Sequence, residues 1–353
     1  MKILVYGAGV LGSLYGARLY EAGHDVTLLA RGQRLIDVRE HGVVLEDVQT
    51  HVRTTTRIPV VDALAPETAY DLVLVVVRKS QLETVLPTLA ANRATPNVLF
   101  LLNNAAGPDQ LVEALGFDRV LLGFPGAGGE RVGHVVRYVT TAGKVQATTI
   151  GEPEGRISPR ITAIAEALNS AGFPVTISRN MDAWLKTHVA LVSPIANALY
   201  MVGGDIYRLA RTRDALLLIV RGIREGLQVL RALEIPITPP VYRWITRLPE
   251  PVLVRWLQRV FAQERAELAI QRHANVARDE MAVLAEEFRV LAERSGVRTP
   301  VLDILRQHLE PDAEPMRDRS AEVPLDRRSL GWSLIALGGV ALLAWLLCRR
   351  KER

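Results

Sequence analysis

The chain has one cysteine, Cys348, among 353 residues. A single thiol excludes an intramolecular disulfide framework and a cysteine-based metal site, and no metal is expected. Aromatic residues make up only 5% of the chain, and Tyr and Phe do not interleave with basic clusters. The net charge of +5 is spread along the sequence rather than gathered in a stripe. Nucleic acid is therefore excluded as a partner. No internal repeat is present. No secretory leader precedes the first apolar run, because Met1 leads straight into it, and the body of the chain is expected in the cytoplasm. What the chain does have is 49% hydrophobic and 23% charged residues, enough for a sizeable core, over a length that suits two domains.

The most informative stretch is the first. Ile3 to Tyr6 is an apolar run of strand length, followed by Gly7, Gly9 and Gly12 in the spacing G-x-G-x-x-G. A helical pattern with Leu11, Leu14, Ala17 and Leu19 comes next, and then a second apolar run from Asp25 to Ala30. Strand, glycine turn, helix and strand in this order are the first half of a dinucleotide-binding unit. Gly7 allows the tight turn, Gly9 lets the backbone approach a pyrophosphate, and Gly12 lets the helix pack close to the strand. Free N–H groups at the helix start, around Ala8, Val10 and Leu11, would face the phosphates. A site for NAD usually has a carboxylate after the second strand; here that place reads Arg31-Gly32-Gln33-Arg34. Arginine suits a 2′-phosphate, so NADPH is expected over NADH, with Arg31 as its ligand.

Further along, a short helix is expected to Glu40, and a strand pair over Val43–Leu45 and Val52–Ile58. Tyr70–Val77 and Asn97–Leu102 are near-continuous apolar runs, as buried parallel strands are. They end in Arg78-Lys79 and Asn103-Asn104, so Gly9, Arg31, Arg78, Lys79 and Asn104 all fall at strand ends, where open parallel sheets bind ligands. Phe124–Gly129 reads as a loop. His134–Thr140 and Lys144–Ile150 read as paired strands, followed by a helix over 160–171 and a strand at Val175–Ile177. The first domain, a doubly wound Rossmann-type α/β sheet, is expected over 1–179. An all-helical domain is expected over 180–309, entered by a helix with Asp182 as its cap and containing one long helix from Ala266 to Gly296.

This order of features resembles the ketopantoate reductase (2-dehydropantoate 2-reductase) family. The resemblance covers about residues 1–309 and is carried by Val77-Arg-Lys-Ser-Gln81, Leu102-Asn-Asn-Ala-Ala-Gly107, Thr149-Ile-Gly-Glu152 and Ala277-Arg-Asp-Glu-Met281. It implies hydride transfer from NADPH to a 2-oxo acid, with Lys186 donating the proton and Glu280 binding the substrate or the lysine. It also implies that Asn104 lies between cofactor and substrate. Taken alone, Lys186 reads as an exposed helix lysine and Glu280, near Asp279, Glu286 and Glu287, as part of a charged face. The sequence departs from the family where asparagines are expected four and eight residues after the lysine: Ala190 and Pro194 stand there. A family serine before the glutamate is also missing, in the phrase that begins at Leu268. Ser193 and Asn197, at offsets of seven and eleven from Lys186 on its helical face, and His273, two turns before Glu280, are the candidate replacements for binding substrate. The fold type also hosts reductases of other 2-oxo acids and of imines, and a nucleotide-binding module without turnover is the reading from another class. A homodimer is left open.

The C-terminus is a separate element. Residues 310–328 are rich in proline and charge and read as a linker. Leu330 to Cys348 has no charge at all and is about the length that crosses a bilayer as a helix, with Trp332 and Trp345 near its ends. A membrane anchor is therefore expected over 329–348, with the larger domains on the cytoplasmic side.

Overall fold

The apolar runs of the first half become the strands of two sheets. These are β1 Lys2–Tyr6, β2 Asp25–Leu29, β3 Val43–Asp47, β4 Arg53–Thr56, β5 Val60–Val61, β6 Leu72–Val75, β7 Val98–Leu101, β8 Val120–Phe124, β9 Ala127–Val132, β10 Val135–Thr140, β11 Thr148–Gly151 and β12 Val175–Ile177. The helices among them are α1 Val10–Glu21, α2 Gly32–His41, α3 Leu82–Ala91, α4 Asp109–Leu115 and α5 Pro159–Ser170. The second half holds α6 Met181–Met201, α7 Ile206–Arg211, α8 Arg213–Ala232, α9 Glu250–Phe261, α10 Glu264–Ala266, α11 Arg272–Val276, α12 Arg278–Ser295 and α13 Pro300–Arg306. The computed structural model describes residues 1–140 and 147–326, apart from the side chains at 265, 268, 269 and 273. The run expected as an anchor, 330–348, lies outside the described residues. Among the described residues no helix is long and apolar enough to cross a membrane.

The larger sheet has the order β12-β11-β8-β7-β6-β1-β2-β5. From β5 to β8 every pairing is parallel, and only β8 and β11 run antiparallel. The chain proceeds from β1 to β2 on one side, then returns to lay β6 on the other side of β1. That reversal opens a crevice at the carboxyl ends of β1 and β6. β6 and β7 are buried along their whole length, as their unbroken apolar sequence requires. A second sheet, β4-β3-β10-β9, covers the far side of α1. Leu14, Tyr15, Ala17 and Leu19 of α1 are thereby buried in one cluster with Ile3, Val5, Leu45 and Val136.

Four local expectations change. Among the described residues, the two stretches expected as a strand pair do not pair with each other: β10 pairs with β3 and β9, while β11 joins the larger sheet beside β8 and β12. Part of the supposed loop at 124–129 belongs to β9. Its glycines read as a turn, but Gly129 is required by close approach, since a Cβ there would lie 2.2 Å from the Arg137 carbonyl oxygen. The cap of α6 is Asn180, whose side chain accepts from the Ala183 N–H, so Asp182 is freed for another use. The expected long helix from 266 to 296 is interrupted by a π turn over Glu267–Gln271 and a break at Ala277. The Tyr200 hydroxyl takes the Ala274 carbonyl at 2.6 Å, which a continuous helix would have used, and α12 starts afresh with Asp279 and Glu280 in its first turn.

α6 ties the halves together. Met181, Trp184 and Leu185 belong to the apolar cluster on the face of the large sheet, while Val189, Ala196 and Ala198 to Met201 belong to the helical core with α8 and α12. The stretch expected as a linker is, over residues 310–326, strapped across that core. Asp214 accepts from the Ser320 hydroxyl (2.6 Å) and the Glu322 N–H (2.7 Å), and the Met316 N–H donates to the Met201 carbonyl (2.7 Å). Met316, Val323 and Leu325 pack on the helical core, which is what a proline- and charge-rich composition conceals.

Candidate active site

The glycine turn is built by steric necessity. Gly7 has φ +112°, and a Cβ there would sit 2.5 Å from the Val76 carbonyl oxygen. A Cβ on Gly12 would lie 1.7 Å from the Gly7 oxygen. Gly9, the cap of α1, differs: a Cβ there meets nothing within 4 Å, so the turn faces open space at this point. The N–H groups at the start of α1, from Val10 onward, lack acceptors within the helix and point along its dipole into the same space. Ala8 lies beside this turn and is buried. Its carbonyl is held from behind by Arg34 Nε at 3.0 Å, and Arg34 also donates to Ser13 Oγ at 2.9 Å. Arg34 is thus a buried brace, and burial, then the nearby Arg131, push its guanidinium below the usual arginine range. Arg31 is exposed at the start of α2 and donates to the Tyr6 hydroxyl at 2.8 Å.

A second group joins the strand ends to α12. The Lys79 ammonium is buried between the Asn104 Oδ1 (3.0 Å) and the Glu287 carboxylate (3.0 Å). Glu287 also accepts from the Ala105 and Ala106 N–H groups, at 2.8 and 3.2 Å. Glu280, buried in the first turn of α12, accepts from the Lys79 N–H (3.2 Å) and Asn103 Nδ2 (3.4 Å). On the rim, Arg78 pairs with Asp279 at 3.2 Å, and Ser80 donates to the same carboxylate at 2.7 Å. Burial raises the Asp279 carboxyl pKa, but Ser80 and Arg78 hold it below its ordinary value on balance.

Lys186 lies where α6 passes the loop after β7. It is 8% exposed, and its ammonium donates to Asp182 Oδ2 at 2.5 Å, one helical turn back. A Cβ on Gly107 would come within 3.4 Å of Lys186 Nζ. Gly107 has φ +101°, and its carbonyl accepts from Asn104 Nδ2 at 2.7 Å. Lys186, Gly107, Asn104, Lys79 and Glu287 therefore form one continuous polar group beyond the strand ends. Asp182 is an ion-pair partner of Lys186. Ser193 and Asn197 are buried on the same face of α6 but farther along it, about 10 and 16 Å by helical rise. They line a cavity of about 30 Å³ with Phe288 and Ala292 of α12 and Thr299 before α13, the room of one water molecule. The side chain of His273 lies outside the described residues.

The sequence reading missed Asp182, Asn103 and Glu287. Asp182 stands four residues before Lys186, and Glu287 seven after Glu280, both spacings that share a helix face. Those offsets were the available signal.

The family model for ketopantoate reductase PanE/ApbA matches residues 3–155. The chain is 32% identical over 215 residues to a 2-dehydropantoate 2-reductase of Archaeoglobus fulgidus, covering 59% of this chain and 67% of the relative. It is also 32% identical over 238 residues to the 2-dehydropantoate 2-reductase of Halobacterium salinarum, covering 66% and 76%. The structure of D-mandelate dehydrogenase with NADH superposes with a TM-score of 0.69 at 18% identity, over 88% of this chain and 97% of that one, a likeness of fold. Glycine turn, strand order, helical second half and these relatives agree: the chain belongs to the ketopantoate reductase family of oxidoreductases.

Proposed function

We propose that the protein is an NADPH-dependent reductase of a small 2-oxo acid. The observation that carries the proposal is a buried ammonium, Lys186, held by Asp182 beside the backbone of Gly107 at the sheet's carboxyl edge. The residues present fit a dinucleotide: the turn at Gly7–Gly12 is open at Gly9, where a phosphate needs room, and Arg31 is exposed where a 2′-phosphate would lie. Arg78, Lys79 and Asn104 would border its nicotinamide end. When bound, the cofactor supplies a hydride. Ketone reduction gathers negative charge on the carbonyl oxygen, and Lys186 Nζ donates a hydrogen bond and then a proton to it. Asp182 aims the ammonium. Glu280 holds the Asn103 side chain and the Lys79 N–H, and Glu287 the Ala105 and Ala106 N–H groups, of the opposite wall.

A reductase of a 2-oxo acid other than ketopantoate is favoured by one feature. Ala190 is 1% exposed, and a Cβ on Gly226 would lie 3.1 Å from its own Cβ. The α6–α8 contact therefore has no room for the asparagine that the family resemblance places there. Each absent hydrogen-bond partner costs about 0.5–1.5 kcal/mol. With the asparagine and the serine both absent, the KM for ketopantoate should rise by up to about a hundredfold. NADPH oxidation against a panel of 2-oxo acids, ketopantoate among them, tests this. Oxidation with none of them, despite tight NADPH binding, would leave a nucleotide-binding module. A low-micromolar KM for ketopantoate would refute the altered specificity. The uncharged run at 330–348 is, in the same proposal, an anchor that holds these domains on the cytoplasmic face of a membrane.

A further inference from the structure

We propose that one face of the helical half, made by the segment Pro240–Thr246 and by α9, docks on an anionic lipid surface. The inference rests on the reading of 330–348 as a membrane anchor and assigns the surface that lies against the bilayer. The face is aromatic and basic at once. Trp244 and Trp256 are 57% and 56% exposed, and Val241, Leu248 and Val252 are exposed with them. On α9 the exposed positions are Val252, Arg255, Trp256 and Arg259, the one-sided spacing of a single helix face. The opposite face, Leu253, Val254, Leu257 and Phe261, is buried in the core. From Ile235 to Gln263 the chain has four arginines, at 243, 247, 255 and 259, and one acidic residue. That residue, Glu250, is buried and neutralised by Arg221 at 2.9 Å and Arg224 at 3.5 Å. Arg247 lies over the Trp244 ring at 5.3 Å. Exposed tryptophans among arginines match the boundary between headgroups and acyl chains, where indole and guanidinium each find partners. Each arginine near an anionic surface favours it by about fivefold.

Chain length fixes the occupant. Arg221 holds the Pro324 carbonyl at 2.7 Å, and the Asp326 N–H donates to Glu250 at 2.8 Å, at the very start of α9. The apolar run begins at Leu330, four residues on, a reach of at most about 14 Å. If 330–348 enters a bilayer, the N-terminal end of α9 is held within about 14 Å of its surface, near enough to dock but not docked by the tether alone. In the sequence, Arg327 and Arg328 follow Asp326 ahead of the apolar run.

The test uses the full chain with Cys348→Ser, so that Val252→Cys accepts a single fluorophore on this face and Thr50→Cys one on the nucleotide-binding half as a control. On vesicles of phosphatidylcholine with phosphatidylglycerol, brominated acyl chains should quench the probe at 252 severalfold more than the probe at 50. Trp244→Ala with Trp256→Ala, both surface changes, should bring the probe at 252 to the control level while the protein still sediments with vesicles. Vesicle-bound protein with an unquenched probe at 252 overturns the docking face and leaves the anchor standing. Absence from the vesicle pellet overturns both. Burial of the probe that follows protein concentration without lipid would assign the face to a second copy of the chain and also overturn the proposal.

Discussion

Replacing Lys186 with methionine keeps the aliphatic stem of a side chain that is 8% exposed and removes only the ammonium. Two consequences differ in size. The lost ion pair is a contact at i,i+4 whose carboxylate, Asp182, keeps a side-chain exposure of 27%, so water can replace the ammonium. Pairs of this kind contribute about 0–1 kcal/mol to stability, and the melting temperature should fall by a few degrees at most. The lost proton donor acts on the rate. Removing a general acid slows turnover by about 10²–10⁴, or about 3–5.5 kcal/mol of barrier. Rate and stability therefore separate by several kcal/mol. The assay is NADPH oxidation under saturating substrate, with NADPH affinity titrated by fluorescence on the same preparation. A folded variant that binds NADPH normally and turns over at more than about a tenth of the parent rate would refute the role of Lys186.

Arg31→Ala should remove a preference for NADPH over NADH of tenfold or more, since a charge-assisted contact to phosphate is worth about 1.5–3 kcal/mol; calorimetric titration of both cofactors reads it. Glu287→Ala strands the buried Lys79 ammonium and two backbone N–H groups, at a cost of about 3–5 kcal/mol, and thermal unfolding should show a lower midpoint, with Glu287→Gln milder. Burial raises the Asp214 carboxyl pKa, but Ser320, the Glu322 and Val323 N–H groups and Arg213 hold it below its ordinary value on balance. A depressed folded-state value contributes stability above the unfolded carboxylate range and loses it as pH falls through the folded value. The 310–326 strap should therefore loosen below about pH 4, as hydrogen exchange over 316–323 would show, and Asp214→Ala should loosen it at neutral pH.

Legibility followed the range of the interaction. Gly7, Gly9 and Gly12 could be read from the sequence because a turn and the helix that follows it are local, and β6 and β7 because burial on both faces leaves an unbroken apolar run. Arg34 could be seen but not interpreted: whether an arginine faces solvent or braces Ala8 depends on where α2 lies. Glu287 was one carboxylate among several on α12, and its acceptor role depends on N–H groups 182 and 181 residues away. The pairing of β10 with β3 is likewise non-local, and nothing within 134–150 distinguishes it from a hairpin. Lys186 stands out in the sequence only through the order of family features, while Asp182, at the helix start, reads as the cap that Asn180 provides in the structure.

The passage of α6 from the sheet to the helical core determines which half carries each part of the site. Its first turn is packed among strand side chains through Met181, Trp184 and Leu185, and Lys186 is the next residue. The ammonium is therefore indexed to the sheet half, whereas Glu280 and Glu287 are carried by α12, which packs on α6 and α8 and reaches back to Lys79, Asn103, Ala105 and Ala106. Substitutions that shift α8 should leave the spacing between the Lys186 ammonium and the strand ends set, because the first turn of α6 is held by the sheet. Such a division would let substrate contacts change by repacking helices, and the close Ala190–Gly226 contact lies on that side of the molecule.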